Sequence, residues 1–293
     1  GSVVAKSQYG NCLYYFGGGG SGHFVKMVHN GIEYAEMQLI AETYDLMSRG
    51  MGIRDQELSR IYKRFNEGHL NSFLIELTSK LLLSESMSID EILDVAEQKG
   101  TGQWVLEAGA KLGIPLPTIS ASVDARSLSG LKERRNDFSS KFKEDREMSL
   151  KVSPEEIECA LLFGKISAFF QGVELIQKAK ETYHWSLIVD DIPKCWRAGC
   201  ILRGGLLDRW VDGIESDSGS SFLELPFFWE QLTETLTATR EVVSACVMSG
   251  IPIPALSSSL AWFDSLTSER LPQSLVQAQR DAFGGHGVRL IKE

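Results

Sequence analysis

The chain has 293 residues, 43% hydrophobic and 24% charged, enough to enclose one large core or two modest ones. A formal net charge of −9 and a pI near 5.2 exclude a general binder of nucleic-acid backbones, which needs a broad basic surface. Any anionic ligand must therefore meet a local cluster of cations. No run reads as a membrane span or a secretory leader. The five cysteines are odd in number, scattered and without zinc-ligand spacing. Reduced thiols and a cytoplasmic setting are expected, with no nucleic-acid or membrane partner. Gly1 and Ser2 read as a cloning remnant.

In chain order, a strand-like "CLYYF" (12–16) leads into "GGGGSG" (17–22), a formal match to the dinucleotide fingerprint G-x-G-x-x-G. That fingerprint needs a second parallel strand ending in an acidic residue. Here "DQELSRIYKRF" and "NSFLIELTSKLLL" follow instead, both with helical period. The glycines thus read as a connection into a first long helix.

That helix carries "KMVHNGIEY" (26–34). Lys26, His29, Asn30, Glu33 and Tyr34 stand at i, i+3, i+4, i+7 and i+8, one face of an α-helix, and Val28, Ile32, Ala35 and Leu39 form an apolar stripe opposite. An ordinary solvated face would carry lysines and glutamates; histidine, asparagine and tyrosine on one stripe point to a cleft.

"SIDEILDVAEQ" opens with Ser88 and Glu91 in capping-box spacing, and "SPEEIE" offers Ser153 as cap with Pro154 at the first helical position. Both predict helix starts. "LGIPLP" and "SGIPIP" each end a helix at glycine and restart after proline. The charged segment 131–151 reads as a solvated helix end, with a mobile linker as the alternative. Strand-like alternation is almost absent, so the expected class is all-α.

The two proline turns also align with each other: "GIPLPTISASVDARS" (113–127) matches "GIPIPALSSSLAWFDS" (250–265) at an offset of 137. At similar offsets "IEYAEMQLIAETY" (32–44) faces "AFFQGVELIQKAK" (168–180), and "FNEGHLNSFL" (65–74) faces "WRAGCILRGGL" (196–206). A duplication into two similar helical bundles is expected. Lys26, Glu33 and Arg126 fall opposite Leu162, Phe169 and Phe263, so the first copy carries chemistry where the second carries core.

The stretch "GSGHFVKMVHNGIEYAEMQLIAETYDLM" resembles the signature of 6-phosphogluconate dehydrogenases, as do "AEQKGTGQW", "VDARSLSGLKERR", "CWRAGCILR", "IPIPALSSSLAWFDS" and "RLPQSLVQAQRDAFGGH". The resemblance spans residues 20–287 and covers the family's helical C-terminal domain; its dinucleotide-binding domain has no counterpart here. It implies oxidation of 6-phosphogluconate to ribulose 5-phosphate and CO2 with NADP, in the pentose phosphate pathway and gluconate use, without a metal. Whatever reads NADP would lie outside these residues, and the isolated chain is expected to be inactive. The division implied is a connection over 1–23, a substrate-binding and dimerising helical domain over 24–279 with halves about 24–135 and 153–279, and a tail over 280–293.

By the same resemblance Lys26 is the general base for the C3 hydroxyl and must be neutral with substrate bound. Glu33, two turns or about 10.5 Å along the axis, protonates the enediol. His29 and Asn30 hold the sugar acid. Tyr34, Lys99, Thr101 and Arg126 hold the phosphate, and Arg280 and His286 complete the neighbouring subunit's site in a homodimer. The chain departs from the family at Ser127, usually cysteine, at Ala35, usually glycine, and in its tail after "GGH". Alternatives are a non-catalytic phosphosugar-binding or dimerisation module, and a related β-hydroxyacid dehydrogenase.

Overall fold

A computed structural model describes residue 4 and residues 6–84, 88–142, 150–216 and 222–291. Two long helices form its axis. Helix α1 (Ser21–Asp45) runs into a single π turn (Leu46–Gly50). Between them in sequence lie α2 (Asp55–Phe65), α3 (Phe73–Leu81), α4 (Thr101–Leu112), α5 (Pro117–Ser129) and α6 (Lys132–Lys141), and then the second axis helix, α7 (Pro154–Thr182). Next come α8 (Asp191–Arg197), α9 (Gly205–Ser216), α10 (Pro226–Ser249), α11 (Pro254–Leu266) and α12 (Gln273–Gly284).

Local chemistry explains most boundaries. Ser153 and Glu156 close a full capping box ahead of Pro154, the side chains exchanging bonds of 3.2 and 2.6 Å with each other's backbone N–H. Gly113 and Gly250 end α4 and α10 in the left-handed region, with φ 71° and 65°. Pro117 and Pro254 then open α5 and α11.

The apolar stripe of α1 (Val28, Ile32, Ala35, Leu39) is fully buried. It meets α7 where that helix carries glycines: a Cβ on Gly172 would stand 2.6 Å from Ile32 Cδ1, and one on Gly164 2.6 Å from Leu39 Cδ2. Helix α7 is itself long and apolar enough to cross a bilayer, contrary to the expectation that no run would be. Yet 89% of its apolar window is buried in the fold, which makes it the core helix around which the rest packs.

The expected duplication is visible as two helix clusters sharing α7. Helices α5 and α11 have the same length, each starting at its proline, and pack on each other. The aligned segments 65–74 and 196–206 cross in an isolated antiparallel bridge at Ser72 and Gly204. Phe73 N donates to Arg203 O and Gly205 N to Asn71 O, at 3.1 and 2.8 Å. Leu162, Phe169 and Phe263, opposite Lys26, Glu33 and Arg126, are all buried.

Two further sequence expectations are corrected. Residues 12–16 form no strand; the strands are β1 (Lys6–Ser7) and β2 (Gly10–Asn11), a short antiparallel hairpin just before them. The capping box at Ser88 starts only one 3₁₀ turn, Ile89–Glu91. Beyond it the chain runs irregularly to Gly100 because neighbouring helices take its polar groups. Asp94 pairs with Lys132 and Arg135, Ala96 N donates to Ser129 Oγ at 2.9 Å, and Gln98 Nε2 to Ser127 Oγ at 3.3 Å. Of the charged segment 131–151, residues 132–141 are helical, as α6, and residues 143–149 lie outside the described ones.

Candidate active site

The polar stripe of α1 divides into an open row and a buried row. Lys26 is exposed and Asn30 and Glu33 are half-buried, while His29 and Tyr34 are buried. His29 Nδ1 lies 3.2 Å from Lys26 Nζ, 3.3 Å from Asn30 Oδ1 and 3.7 Å from Glu33 Oε2. One imidazole nitrogen thus stands among the other three polar groups. The ring is held edge-on against Trp196 of α8, centroids 5.1 Å apart, and its Nε2 is buried without a partner. Burial, with the Lys26 ammonium adding to it, lowers the His29 pKa to about 4, so the imidazole is neutral near pH 7.

Burial also holds the Glu33 carboxyl above the usual range, against the pull of Lys26 and Arg126. Such a carboxyl can keep a proton to give. Lys26, the proposed base, makes no ion pair with a carboxylate among the described residues. It lines two clefts that flank the first turns of α1. One, of about 780 Å³, is walled by Cys12–Gly17, Trp196 and Cys200. The other, of about 760 Å³, is walled by Asn30, Thr101, Trp104, Tyr183 and Trp185.

A second group of predicted residues meets one turn further along. The Arg126 guanidinium carbon lies 3.6 Å over the Tyr34 ring, while its Nη1 donates to Glu97 O at 3.4 Å and Nη2 to Met37 Sδ at 3.5 Å. Lys99 follows two residues after Glu97. Thr101 then opens α4 behind Gly100, at φ 85°, which has no side chain to cap the helix start. The first-turn N–H groups of α4 therefore stay open beside Lys99 and Thr101, a setting that suits an anion. Gly102 lets this turn press on Tyr34: a Cβ there would stand 2.8 Å from the ring.

Arg280 and His286 are not brought to these groups. No residue of α12 is buried. Among the described residues Arg280 Nη1 donates to Gln277 Oε1, at 3.3 Å, and His286 stands edge-on to Phe283.

Residues 22–293 match the profile of the family described as 6-phosphogluconate dehydrogenase, C-terminal domain. The chain belongs to this family. It is 43% identical over 288 residues to a decarboxylating 6-phosphogluconate dehydrogenase of Lactococcus lactis, covering 94% of this chain and 60% of that one. A spinach (Spinacia oleracea) relative of the same description is 40% identical, covering 99% and 63%. The solved structure of Plasmodium falciparum 6-phosphogluconate dehydrogenase, described in its apo form and in complex with cofactor NADP+ and with substrate 6-phosphogluconate, superposes with a TM-score of 0.91. It is 38% identical over 97% of this chain and 63% of its own. The chain thus spans about 60% of the length of these 6-phosphogluconate dehydrogenases.

Sequence reasoning missed three features of this 6-phosphogluconate dehydrogenase domain. Trp196 orients His29, the strap 92–100 ties the Lys99 loop to α5 and α6, and Lys165 of α7 forms a buried ion pair with Glu36 of α1. Only Lys165 left a signal: it stands 136 residues after His29, at the repeat offset.

Proposed function

We propose that this chain carries the sugar-acid half of a decarboxylating 6-phosphogluconate dehydrogenase, taking 6-phosphogluconate to ribulose 5-phosphate and CO2 with NADP as hydride acceptor in a cytoplasmic setting. The observation that carries the reading is the clustering of Lys26, neutral His29, Asn30 and Glu33 about one imidazole nitrogen, one turn from the Arg126–Tyr34 stack. The described residues do not build a dinucleotide site. The glycine turn at 17–20 opens a helix, and the sheet beside it is a two-stranded antiparallel hairpin. The hydride acceptor is therefore held elsewhere, and only the proton work is assigned to this chain.

As hydride leaves C3, the C3 hydroxyl proton passes to the Lys26 amine, giving a 3-keto acid beside an ammonium. The ammonium polarises the new carbonyl and returns its proton to the C3 oxygen as the electrons of the breaking C1–C2 bond form the C2=C3 bond of an enediol and CO2 departs. Glu33 then protonates the enediol carbon while the C3 hydroxyl proton goes back to the Lys26 amine, leaving the ketone. The burial of Glu33 raises its proton affinity, which favours that step, while His29 stays neutral and does not compete for charge with Lys26. Arg126, Lys99, Thr101 and the open start of α4 take the phosphate, with Tyr34 supporting the guanidinium from below. Arg280 and His286 belong, in this reading, to the site of a second copy. What supports this is that no residue of α12 is buried in a single chain and that Leu275, Val276 and Phe283 stand exposed.

Calorimetry with this chain tests the reading. Binding of 6-phosphogluconate with far weaker binding of unphosphorylated gluconate is expected, and no NADPH should form from substrate and NADP unless a dinucleotide-binding domain is supplied. Equal affinity for the two ligands would sink the phosphate assignment.

A further inference from the structure

Lys165 and Glu36 stand apart from the other charges. Lys165 Nζ lies 3.2 Å from Glu36 Oε1, and each side chain is 1% exposed. In every other described pairing of Lys or Arg with a carboxylate, at least one partner is more than a third exposed. Burying two charges is costly, and an apolar pair of similar volume often holds a fold as well or better. Packing alone therefore does not account for the pair.

Its place suggests what it does. Glu36 lies three residues beyond Glu33 on α1: burial raises its proton affinity, the charge and hydrogen bond of Lys165 draw it back, and the charge on Glu33 adds to the rise. Glu36 Oε2 is buried without a partner. From the other side, Lys165 Nζ donates to Ser72 Oγ at 3.1 Å, and Ser72 is both the N-cap of α3 and the residue at the crossing of the two halves. On the second long helix Lys165 occupies the position that matches His29 on the first. The second half has lost its own polar stripe, yet at this position it keeps a cation and turns it toward the first half's helix.

We infer that Lys165 and Glu36 are a positioning pair for the reaction: the ammonium from α7 pins α1 at the turn after Glu33, and the Glu36 carboxyl it holds stands one turn from the Glu33 acid, where its charge bears on the Glu33 proton. The inference rests on reading Glu33 as the proton donor. The other groups facing this end of α1 are Lys26 and His29 on α1 itself and Arg126 on α5. Lys99 stands in the turn before α4, and Cys200, after α8, faces Lys26 and Glu36. A negative charge among these cations helps keep Glu33 protonated until the enediol forms.

Carbon-13 NMR of this chain labelled at glutamate carboxyls tests the pairing, with the Glu33 signal assigned by its loss in Glu33→Gln. Glu36→Gln removes the neighbouring carboxylate and should lower the Glu33 titration midpoint by about one pH unit, the size expected of a like charge within a turn. The double variant Glu36→Leu, Lys165→Met keeps the packing and should lower the midpoint by less, since the cation leaves as well. If the single variant does not fold, the double variant carries the test. A Glu33 midpoint unmoved in whichever variant folds overturns the proposal and leaves the pair as packing. Failure of the unmodified chain to bind 6-phosphogluconate, with the Glu33 shift present, overturns the assignment of Glu33 as the acid and not the electrostatic coupling.

Discussion

Replacing Arg126 by alanine probes the phosphate end of the site while leaving the proton groups in place. In the absence of ligand the guanidinium spends its Nη groups on contacts of 3.4 and 3.5 Å, long enough to be weak, so little is given up when a phosphate takes their place. A charge-assisted hydrogen bond contributes about 1.5–3 kcal/mol net, and about 1.4 kcal/mol is a factor of ten in affinity. Losing one such bond should weaken 6-phosphogluconate binding roughly 10-fold to 100-fold and leave gluconate binding unchanged. Arg126→Lys should fall between, because an ammonium keeps the charge but not the planar stack on Tyr34. Calorimetry with both ligands, at low and high salt, gives the two affinities and their ratio; circular dichroism checks that the strap at Glu97 has not unravelled α5. An alanine variant that binds both ligands as before, or that loses both equally, would refute the placing of the phosphate.

Further expectations concern protons. In a protein joined to a dinucleotide-binding domain, Lys26→Met should abolish single-turnover NADPH formation. Glu33→Gln should leave that step and slow ribulose 5-phosphate release by about 10²-fold to 10⁴-fold; normal turnover in both would reduce the stripe to a solvated helix face. Glu42 concerns stability: it is buried, accepts from Ala255 N and Leu256 N at 2.8 and 2.9 Å, and burial pushes its carboxyl up to about 7. A carboxyl raised on folding binds its proton more tightly in the folded chain. Its contribution is therefore fully present below the unfolded value near 4.5 and is lost as pH rises through about 7, on the order of 3 kcal/mol in all. Thermal unfolding of the wild type should weaken between pH 5 and pH 8 more steeply than that of Glu42→Gln, and parallel curves would contradict the assignment.

What could be read from sequence was what is decided locally. Ser153, Pro154, Gly113 and Pro117 act within a few residues of themselves, and their helix ends lie where spacing put them. The repeat was legible because α5 and α11 restart the same way. The failure at Ser88 shows the limit: its cap is local and real, but the residues after it bond to Ser127, Ser129, Arg126 and Arg135, between 29 and 41 positions away. Within the site, the face of α1 was plain from its period. The burial of His29 and Tyr34 was not, because Trp196 and Gly102 reach them from α8 and α4. Lys165 was marked only by its offset from His29, since nothing in α7 itself announces a carboxylate on another element.

The proline-started helices show how far the two halves have grown together. Thr118 N, at the start of α5, donates to Gln171 Oε1 of α7 at 3.0 Å, and the start of α11 is capped by Glu42 of α1. Gln171 Nε2 donates to Thr118 Oγ1, and Thr118 in turn bonds Ser259 of α11. Each half thus leaves the opening of one of its helices for the other to close. Cut between the copies, the two pieces would be partners rather than domains: each would expose open backbone N–H groups and a stripped axis helix, and they would gain native structure together or not at all. The two clusters, each closing a helix of the other, thus form one cooperative unit whose parts cannot be exchanged.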